Sequence, residues 1–179
     1  QTSHPTSIPT QVRPSGFNDH VFDYSCTIDR PWKTVWSWLL EPDTFVKGQF
    51  WPFRVEFLDT PAEDGPVARG FDVGTLNAHH GPFMNFCGVI TRVEVGESEA
   101  VRDLEYAYGA YAVAFRLIRP SLLRIRVVGE DEHRCRVDVR VESYVRSWFG
   151  GIWTLAQRCF WPSFGRMIRR ALRVRPGAD

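Results

Sequence analysis

The order of the predicted elements constrains the fold of this chain more than any single motif does. Strict alternation of apolar and polar residues predicts a first strand from His20 to Ile28 and a last one from Arg134 to Val145. A short Trp-rich helix follows the first strand, and a long amphipathic helix from about Ile152 to Leu172 ends the pattern. One helix covers the apolar face of a curved antiparallel sheet only partly. The sequence therefore predicts an α+β domain with a cavity between helix and sheet.

Composition permits such a cavity without requiring it. The 179 residues are enough for one domain, and hydrophobic (44%) and charged (24%) residues occur at ordinary levels. Aromatic residues are abundant at 14%, which fits either a bulky core or a pocket for a flat, apolar ligand. The four Cys residues are widely spaced and form no CxxC pair, so we expect no disulfide framework, metal site or cofactor.

Charge is distributed unevenly along the chain. From Arg146 onward there are seven Arg and one acid, although the whole chain carries only +1. We interpret the basic end as a solvated helix face rather than a nucleic-acid or lipid site. No segment is long and apolar enough to span a membrane, so we expect no stable membrane insertion and a cytoplasmic protein. The chain begins at Gln1, which leaves open whether a leader or tag preceded it, and a homodimer is left open.

The chain divides into a tail and one domain. Pro, Gly, Ser and Thr dominate residues 1–18, which predicts an extended tail, and residues 19–175 form the predicted domain. Asp29 is the predicted N-cap of the Trp-rich helix. A second short helix is predicted through Thr44, Phe45 and Val46.

Period-2 parity assigns inward faces to the predicted strands. In the segment Arg69 to His79, it places Phe71 and Val73 on the same face as His79. In the segment Arg102 to Tyr108, it places Leu104 and the two tyrosines together. In the segment Asn85 to Val95, the residues predicted to face inward are Cys87 and every second residue after it. Parity also predicts that Arg54 and Arg116, on other segments, point away from the cavity. The final helix carries one apolar stripe: Trp153, Gln157, Phe160, Phe164, Met167, Ile168 and Leu172.

The opening of the domain resembles a known superfamily. The segment from Phe22 to Trp36, in which a first strand is followed by a short helix carrying Val35-Trp36, is similar to the start of START-like (SRPBCC, Bet v 1-like) proteins. Phe71-Asp72-Val73-Gly74 resembles their third-strand turn. Within the superfamily the chain looks most like the polyketide cyclase/dehydrase and lipid-transport group. The resemblance implies a helix-grip fold, with a seven-stranded antiparallel sheet around the long helix and a deep apolar cavity. It also implies binding of lipids, polyketides or similar molecules.

Polar residues on the inward faces are the candidates for chemistry. His79 can act as acid or base near neutral pH, and Asn77 and Tyr106 can polarise a carbonyl, so these three are the predicted catalytic residues. Each also has a structural interpretation, as a strand-end histidine or a core residue bonded to backbone. His79 and His80 are adjacent on one strand, point to opposite faces and make a poor metal site. The predicted ligand-binding residues are Tyr24, Trp36, Thr75, Asn85, Phe86, Tyr108, Trp153, Gln157, Phe160 and Phe164.

Two functions remain open on these residues. One is a polyketide cyclase/dehydrase-type enzyme that folds a reactive chain by positioning and moves protons with His79. The other is a non-catalytic carrier of a lipid or another apolar small molecule. Both need the cavity, but only the enzyme needs several converging titratable groups.

Overall fold

A single antiparallel sheet and a long C-terminal helix form the body of the protein, seen here in a computed structural model that describes residues 8–43, 45, 54–60 and 67–174. The strands are β1 (Phe17–Ile28), β2 (Arg54–Leu58), β3 (Leu76–Gly81), β4 (Met84–Val95), β5 (Glu99–Tyr106), β6 (Tyr111–Ala112), β7 (Ile118–Asp131) and β8 (Arg134–Arg146). The helices are α1 (Trp32–Leu39) and α2 (Gly150–Val174), with a 3₁₀ turn at Ala114–Arg116.

Strand order places the first two strands at opposite edges of the sheet. Within the described part of the chain the order is β1-β8-β7-β5-β4-β3-β2, and the two-residue β6 pairs with β4 and β7. This antiparallel sheet with a long C-terminal helix and a short helix after the first strand is a helix-grip fold, and the predicted fold class is confirmed.

The inner face of the sheet is ordered in cross-strand rows. One row joins Phe57, Asn77, Gly88 and Tyr106 across β2, β3, β4 and β5. A row further along β5 joins Arg102 to Ile125, Val139 and Tyr24. The alternation of β8 was predicted correctly, since all five residues predicted to face inward are buried: Val137, Val139, Val141, Ser143 and Val145.

The main core lies between the helices and the β1, β7 and β8 side of the sheet. Ile28, Leu39, Val127, Val137 and Ile168 are almost fully buried there. Trp161, rather than Phe160, is the aromatic residue that α2 buries in this core, because the buried positions of α2 recur at 157, 161, 165, 168 and 172. The predicted stripe was therefore wrong at Phe160, which is 59% exposed.

Two turns interrupt the predicted alternation. Gly70 and Gly74 adopt positive φ, so residues 69–75 form turns, Val73 is exposed and the strand begins only at Leu76. After β5 the chain turns at Gly109, also at positive φ, and Tyr108 is 66% exposed. The predicted inward positions of Val73 and Tyr108 were wrong for this reason.

Three predicted boundaries also differ from the structure. Phe17 and Asn18, assigned to the tail, pair with β8, and Gln11 donates from Nε2 to the carbonyl of Ala110 at 2.7 Å. The N-cap of α1 is Pro31, without a side-chain cap, whereas Asp29 lies two residues earlier and faces Arg134. Of the second short helix predicted at Thr44–Val46, only Phe45 is described, and it is helical.

A register shift in β4 changes which residues face inward. Gly88 and Ile90 pair with Tyr106 and Leu104, but the next aligned pair is Arg92 with Asp103, so Thr91 forms a bulge. Ile90 is therefore buried inward and Thr91 is exposed. The inward set predicted to begin at Cys87 has the opposite parity in the first half of this strand.

Candidate functional site

A cavity of about 380 Å³ lies between α2 and the β2–β3–β4–β5–β7 part of the sheet. Its walls are mostly apolar. The sheet contributes Val55, Phe57, Met84, Ile90, Leu104, Leu123 and Ile125, and α2 contributes Phe160, Trp161, Phe164 and Met167. Phe45 and Phe71 close one side, with their ring centroids 5.5 Å apart. Such a lining suits an apolar molecule.

The exposed lining residues locate the opening. Arg54 and Phe160 are exposed, and His80 is about half exposed. Arg54 and His80 are paired across β2 and β3, and β2 is the last strand in the sheet order. The opening thus lies between this edge of the sheet and the middle of α2. Arg54, which was expected to point away from the cavity, contributes to its rim.

His79 and Asn77 both line the cavity. Burial, together with the charges of Arg102 and His80, lowers the pKa of His79 to about 4. Its imidazole is therefore uncharged at neutral pH. Asn77 is almost fully buried, and its Oδ1 has no hydrogen-bond partner among the described residues. The His79 ring can therefore accept a proton from a bound molecule, and the Asn77 carbonyl oxygen can accept a hydrogen bond from it.

Arg102 is the residue of this site that sequence reasoning missed. It lines the cavity although only 5% of it is exposed. Nη1 donates to the carbonyl of Leu39 at 2.8 Å, and Cζ lies 3.9 Å from the ring centroid of Phe71. Burial lowers the pKa of Arg102 to about 9, so the side chain is still a cation at neutral pH. The signal was present, because Arg102 shares the parity of Leu104 and Tyr106.

Tyr106, the third predicted catalytic residue, is not among the residues that line the cavity, although the charge of Arg102 acts on it. It is buried against Phe86, with ring centroids 5.5 Å apart. Burial raises the pKa of its phenol, which the charge of Arg102 partly offsets. Tyr106 therefore keeps its proton at physiological pH. His79, Arg102 and Tyr106 thus lie close enough for the Arg102 charge to act on both of the others.

The other predicted site residues lie in different places. Only Phe160 and Phe164 of the predicted ligand-binding set line the cavity. Tyr24 lies beneath Gly165 of α2, and Tyr108 is on the surface. Gln157 accepts a hydrogen bond from Trp161 Nε1, and Trp153 Nε1 donates to Ser143 Oγ at 3.2 Å. Trp36, Thr75, Asn85 and Phe86 are buried or half-buried outside the cavity lining.

Among the residues that the structure describes, no group of three or more His, Cys, Asp or Glu is arranged to hold a metal ion. No described helix is long and apolar enough to cross a membrane.

Comparison with solved structures identifies the fold as the Bet v 1-like helix-grip type. The X-ray structure of norcoclaurine synthase from Thalictrum flavum in complex with dopamine and hydroxybenzaldehyde aligns with a TM-score of 0.61 at 13% identity. That alignment covers 96% of this chain and 99% of the synthase chain. A truncated form of the synthase gives a TM-score of 0.63 at 13% identity over 92% and 100% of the two chains.

An uncharacterized protein from Rhizobium leguminosarum also aligns, with a TM-score of 0.52 at 8% identity over 89% of this chain and 99% of that chain. No sequence-family profile matches the chain. No curated protein sequence matches it either. At these identities the similarity concerns the fold, and the chemistry has to be argued from the residues of this cavity.

Proposed function

We propose that this protein binds an apolar small molecule in the cavity beneath α2 and acts on it as a cyclase/dehydrase-type enzyme. The observation that supports the proposal is an apolar cavity whose lining includes Asn77, His79 and Arg102, with the Arg102 charge acting on His79. A carrier needs only the apolar walls, whereas converging titratable groups are typical of catalytic sites. The fold is shared with norcoclaurine synthase, whose complex contains two small aromatic molecules.

The reaction we propose is intramolecular condensation of a chain bearing several carbonyl groups. The cavity holds the chain bent, so that one carbon meets one carbonyl. His79 takes a proton from that carbon, and the electron pair of the broken C–H bond forms the new C–C bond. The carbonyl oxygen becomes an alkoxide, which regains the proton from the His79 imidazolium. Loss of this hydroxyl with a neighbouring proton, as water, completes a dehydration.

The low pKa of His79 restricts the substrate. A base with a pKa of about 4 is weak, so the C–H bond it breaks must be acidic. A methylene between two carbonyl groups meets this requirement. The side-chain amide of Asn77, which lines the cavity, donates a hydrogen bond to the enolate oxygen that forms. This requirement favours a polyketide-like chain over a simple lipid as substrate.

A non-catalytic carrier of an apolar molecule is the second candidate. It is favoured by the lining of the cavity, most of which is aliphatic or aromatic, because apolar walls are all that a carrier needs. In a carrier the same cavity would release its ligand unchanged.

Binding is tested with a neutral fluorescent probe. We expect 1-aminoanthracene to bind the protein, and Met167→Trp to weaken this binding about tenfold or more by filling the cavity. Arg166→Trp adds the same side chain on the exposed face of α2 and should leave the affinity unchanged. Equal affinities for the two variants would contradict a binding site beneath α2.

Catalysis is tested on the molecule that co-purifies, identified by native mass spectrometry. We expect His79→Ala to abolish its conversion while the probe affinity stays within about tenfold. The matched control is His133→Ala, which changes an exposed histidine in the β7–β8 turn. Unchanged conversion in His79→Ala, or release of the molecule unaltered by the native protein, would favour the carrier.

A further inference from the structure

The guanidinium of Arg102 is a buried cation for which the described residues supply little compensation. Among the described residues it makes one hydrogen bond, to the Leu39 carbonyl, and lies over the face of the Phe71 ring. A guanidinium carries five N–H donors in a planar fork. No Asp or Glu among the described residues forms an ion pair with it. A buried charge without a counter-ion is costly, so its retention calls for an explanation.

A structural role explains only part of this arrangement. Leu39 is the last residue of α1, and a cation at a helix C-terminus is favoured by the helix dipole. That dipole supplies about half of a negative charge. The Leu39 carbonyl accepts from only one of the five N–H groups of Arg102, and the Arg102 side chain also lines the cavity. The rest of the fork is therefore available to a molecule inside.

Two other arginines of the sheet, unlike Arg102, are paired with a carboxylate. Arg124 on β7, which points to the outer face, donates from Nε and Nη2 to the two carboxylate oxygens of Asp103, each at 2.7 Å. Arg140 on β8 pairs with Asp23 in the same bidentate way. Arg102 is adjacent to Asp103 in sequence but points to the opposite face, so that carboxylate is not available to it.

The other charged and titratable residues that line the cavity also favour a negatively charged ligand. The described lining residues include Arg102, Arg54 and two histidines but no Asp or Glu. A negative group entering from the rim would thus meet Arg54 first and Arg102 inside. Beyond Arg102 the walls are apolar: Ile90, Leu104, Leu123 and Ile125 from the sheet and Phe164 from α2.

We infer that the ligand of this cavity is an apolar molecule carrying one carboxylate, which forms a bidentate ion pair with Arg102. The planar fork matches the geometry of a carboxylate. A phosphate monoester has the same complementarity but carries between one and two negative charges at neutral pH, which would leave excess charge buried. One carboxylate balances one guanidinium. The inference rests on the proposed function, since it specifies a ligand for the same cavity.

The test compares three probes of similar shape: 2-anthracenecarboxylate, its neutral carboxamide and 2-anthryl phosphate. We expect the native protein to bind the carboxylate about 30-fold or more tightly than the amide, as for other buried charge pairs. The phosphate should bind more weakly than the carboxylate. In Arg102→Gln the preference for carboxylate over amide should disappear, while the amide binds as it does to the native protein.

Two further variants keep the result interpretable. Arg126→Gln removes an arginine from the outer face of the adjacent strand, where it pairs with Glu99, and should preserve the preference. If Arg102→Gln does not fold, Arg102→Lys keeps a cation but loses the fork, and its preference should fall between those of the native protein and a neutral site.

Each result bears on a separate claim. Equal affinity of the native protein for carboxylate and amide would overturn the inference and leave the apolar site intact. Tighter binding of the phosphate would overturn the choice of a carboxylate. If the native protein binds neither these probes nor 1-aminoanthracene, the proposed function itself fails.

Discussion

Gly165 of α2 lies directly over the hydroxyl group of Tyr24 on β1. A Cβ atom at position 165 would be 2.6 Å from Tyr24 Oη and 3.1 Å from Cys26 Sγ, both closer than normal packing allows. The absence of a side chain at Gly165 therefore sets how closely the helix approaches the first strand, and with it one side of the space beneath α2.

We expect Gly165→Ala to lower the free energy of unfolding by about 1–2 kcal/mol, because overpacking at Tyr24 outweighs the better helix propensity of Ala. Adding Tyr24→Phe removes the hydroxyl and should recover most of the loss. Gly151→Ala, where a Cβ meets open space, should be neutral or slightly stabilising. Urea denaturation measures all four proteins, and a Gly165→Ala variant as stable as the native protein would contradict the close contact.

The lowered pKa of His79 makes stability depend on pH. Below about pH 6.5 the unfolded state binds a proton that the folded state does not accept until about pH 4. The His79 contribution is therefore complete above the unfolded value and is lost as the pH falls through this window. The loss of unfolding free energy across this window is about 2–3 kcal/mol.

We expect His79→Gln to reduce the fall in unfolding free energy between pH 6.5 and pH 4 relative to the native protein. Carboxyl groups titrate in the same window, but they cancel when the two proteins are compared. His133→Gln, at an exposed turn, should follow the native curve. Parallel curves for the native protein and His79→Gln would show that this histidine is not buried as an uncharged ring.

Adjacent aromatic residues on α2 should respond differently to truncation. Trp161 is 8% exposed and packs in the main core, so Trp161→Ala should cost about 3–5 kcal/mol. Phe160 is mostly exposed at the rim of the cavity, and Phe160→Ala should cost less than about 1 kcal/mol. Thermal and urea unfolding measure both losses. A larger loss for Phe160→Ala than for Trp161→Ala would contradict the observed orientation of α2 and support the one predicted from the sequence, in which Phe160 faces the core.

Two arginines on the outer face of the sheet should differ in how much they contribute to the free energy of unfolding. Arg124→Gln leaves the carboxylate of Asp103 buried without its partner and should cost about 2–3 kcal/mol. Arg126 and Glu99 are each 45% exposed, so Arg126→Gln should cost less than about 1 kcal/mol. Raising the salt concentration should reduce the small effect more than the large one. Similar losses in the two variants would argue against burial of Asp103.

Alternation predicted correctly which residues face inward on the regular strands. It failed where a turn or a bulge interrupts the strand. On β8, alternation identified five of the six buried positions, and the sixth, Cys135, has the same parity, because nothing interrupts the pleat between Arg134 and Arg146. At Gly70 and Gly74 the residue type permits positive φ without requiring it, so the alternating pattern through Phe71 and Val73 imitated a strand. The bulge at Thr91 has no residue signal at all, since it depends on pairing with β5.

The candidate site was predicted only in part for the same reason. Asn77 and His79 lie on the regular part of β3, and both line the cavity. Tyr108 was placed by extending β5 beyond its last residue, Tyr106. Arg102 satisfies the same parity rule, but its charge favours a position facing solvent, so the pattern alone does not mark it as a site residue. A charged side chain that parity places inward is therefore worth treating as a site candidate.

Pairing between β1 and β8 has a consequence for how the chain is made. β1 lies at the sheet edge, and its hydrogen-bonded neighbour runs from Arg134 to Arg146, so Phe17 must wait for Arg146 to be synthesised. At ribosomal rates of about 5–20 residues per second, this interval lasts roughly 6 to 26 seconds. Throughout it, Tyr24, Cys26 and Ile28 have neither a partner strand nor the helix that later covers them. The apolar residues of β1 therefore stay uncovered until β8 and α2 have both been made, so that formation of this part of the core is a late step in folding of the domain.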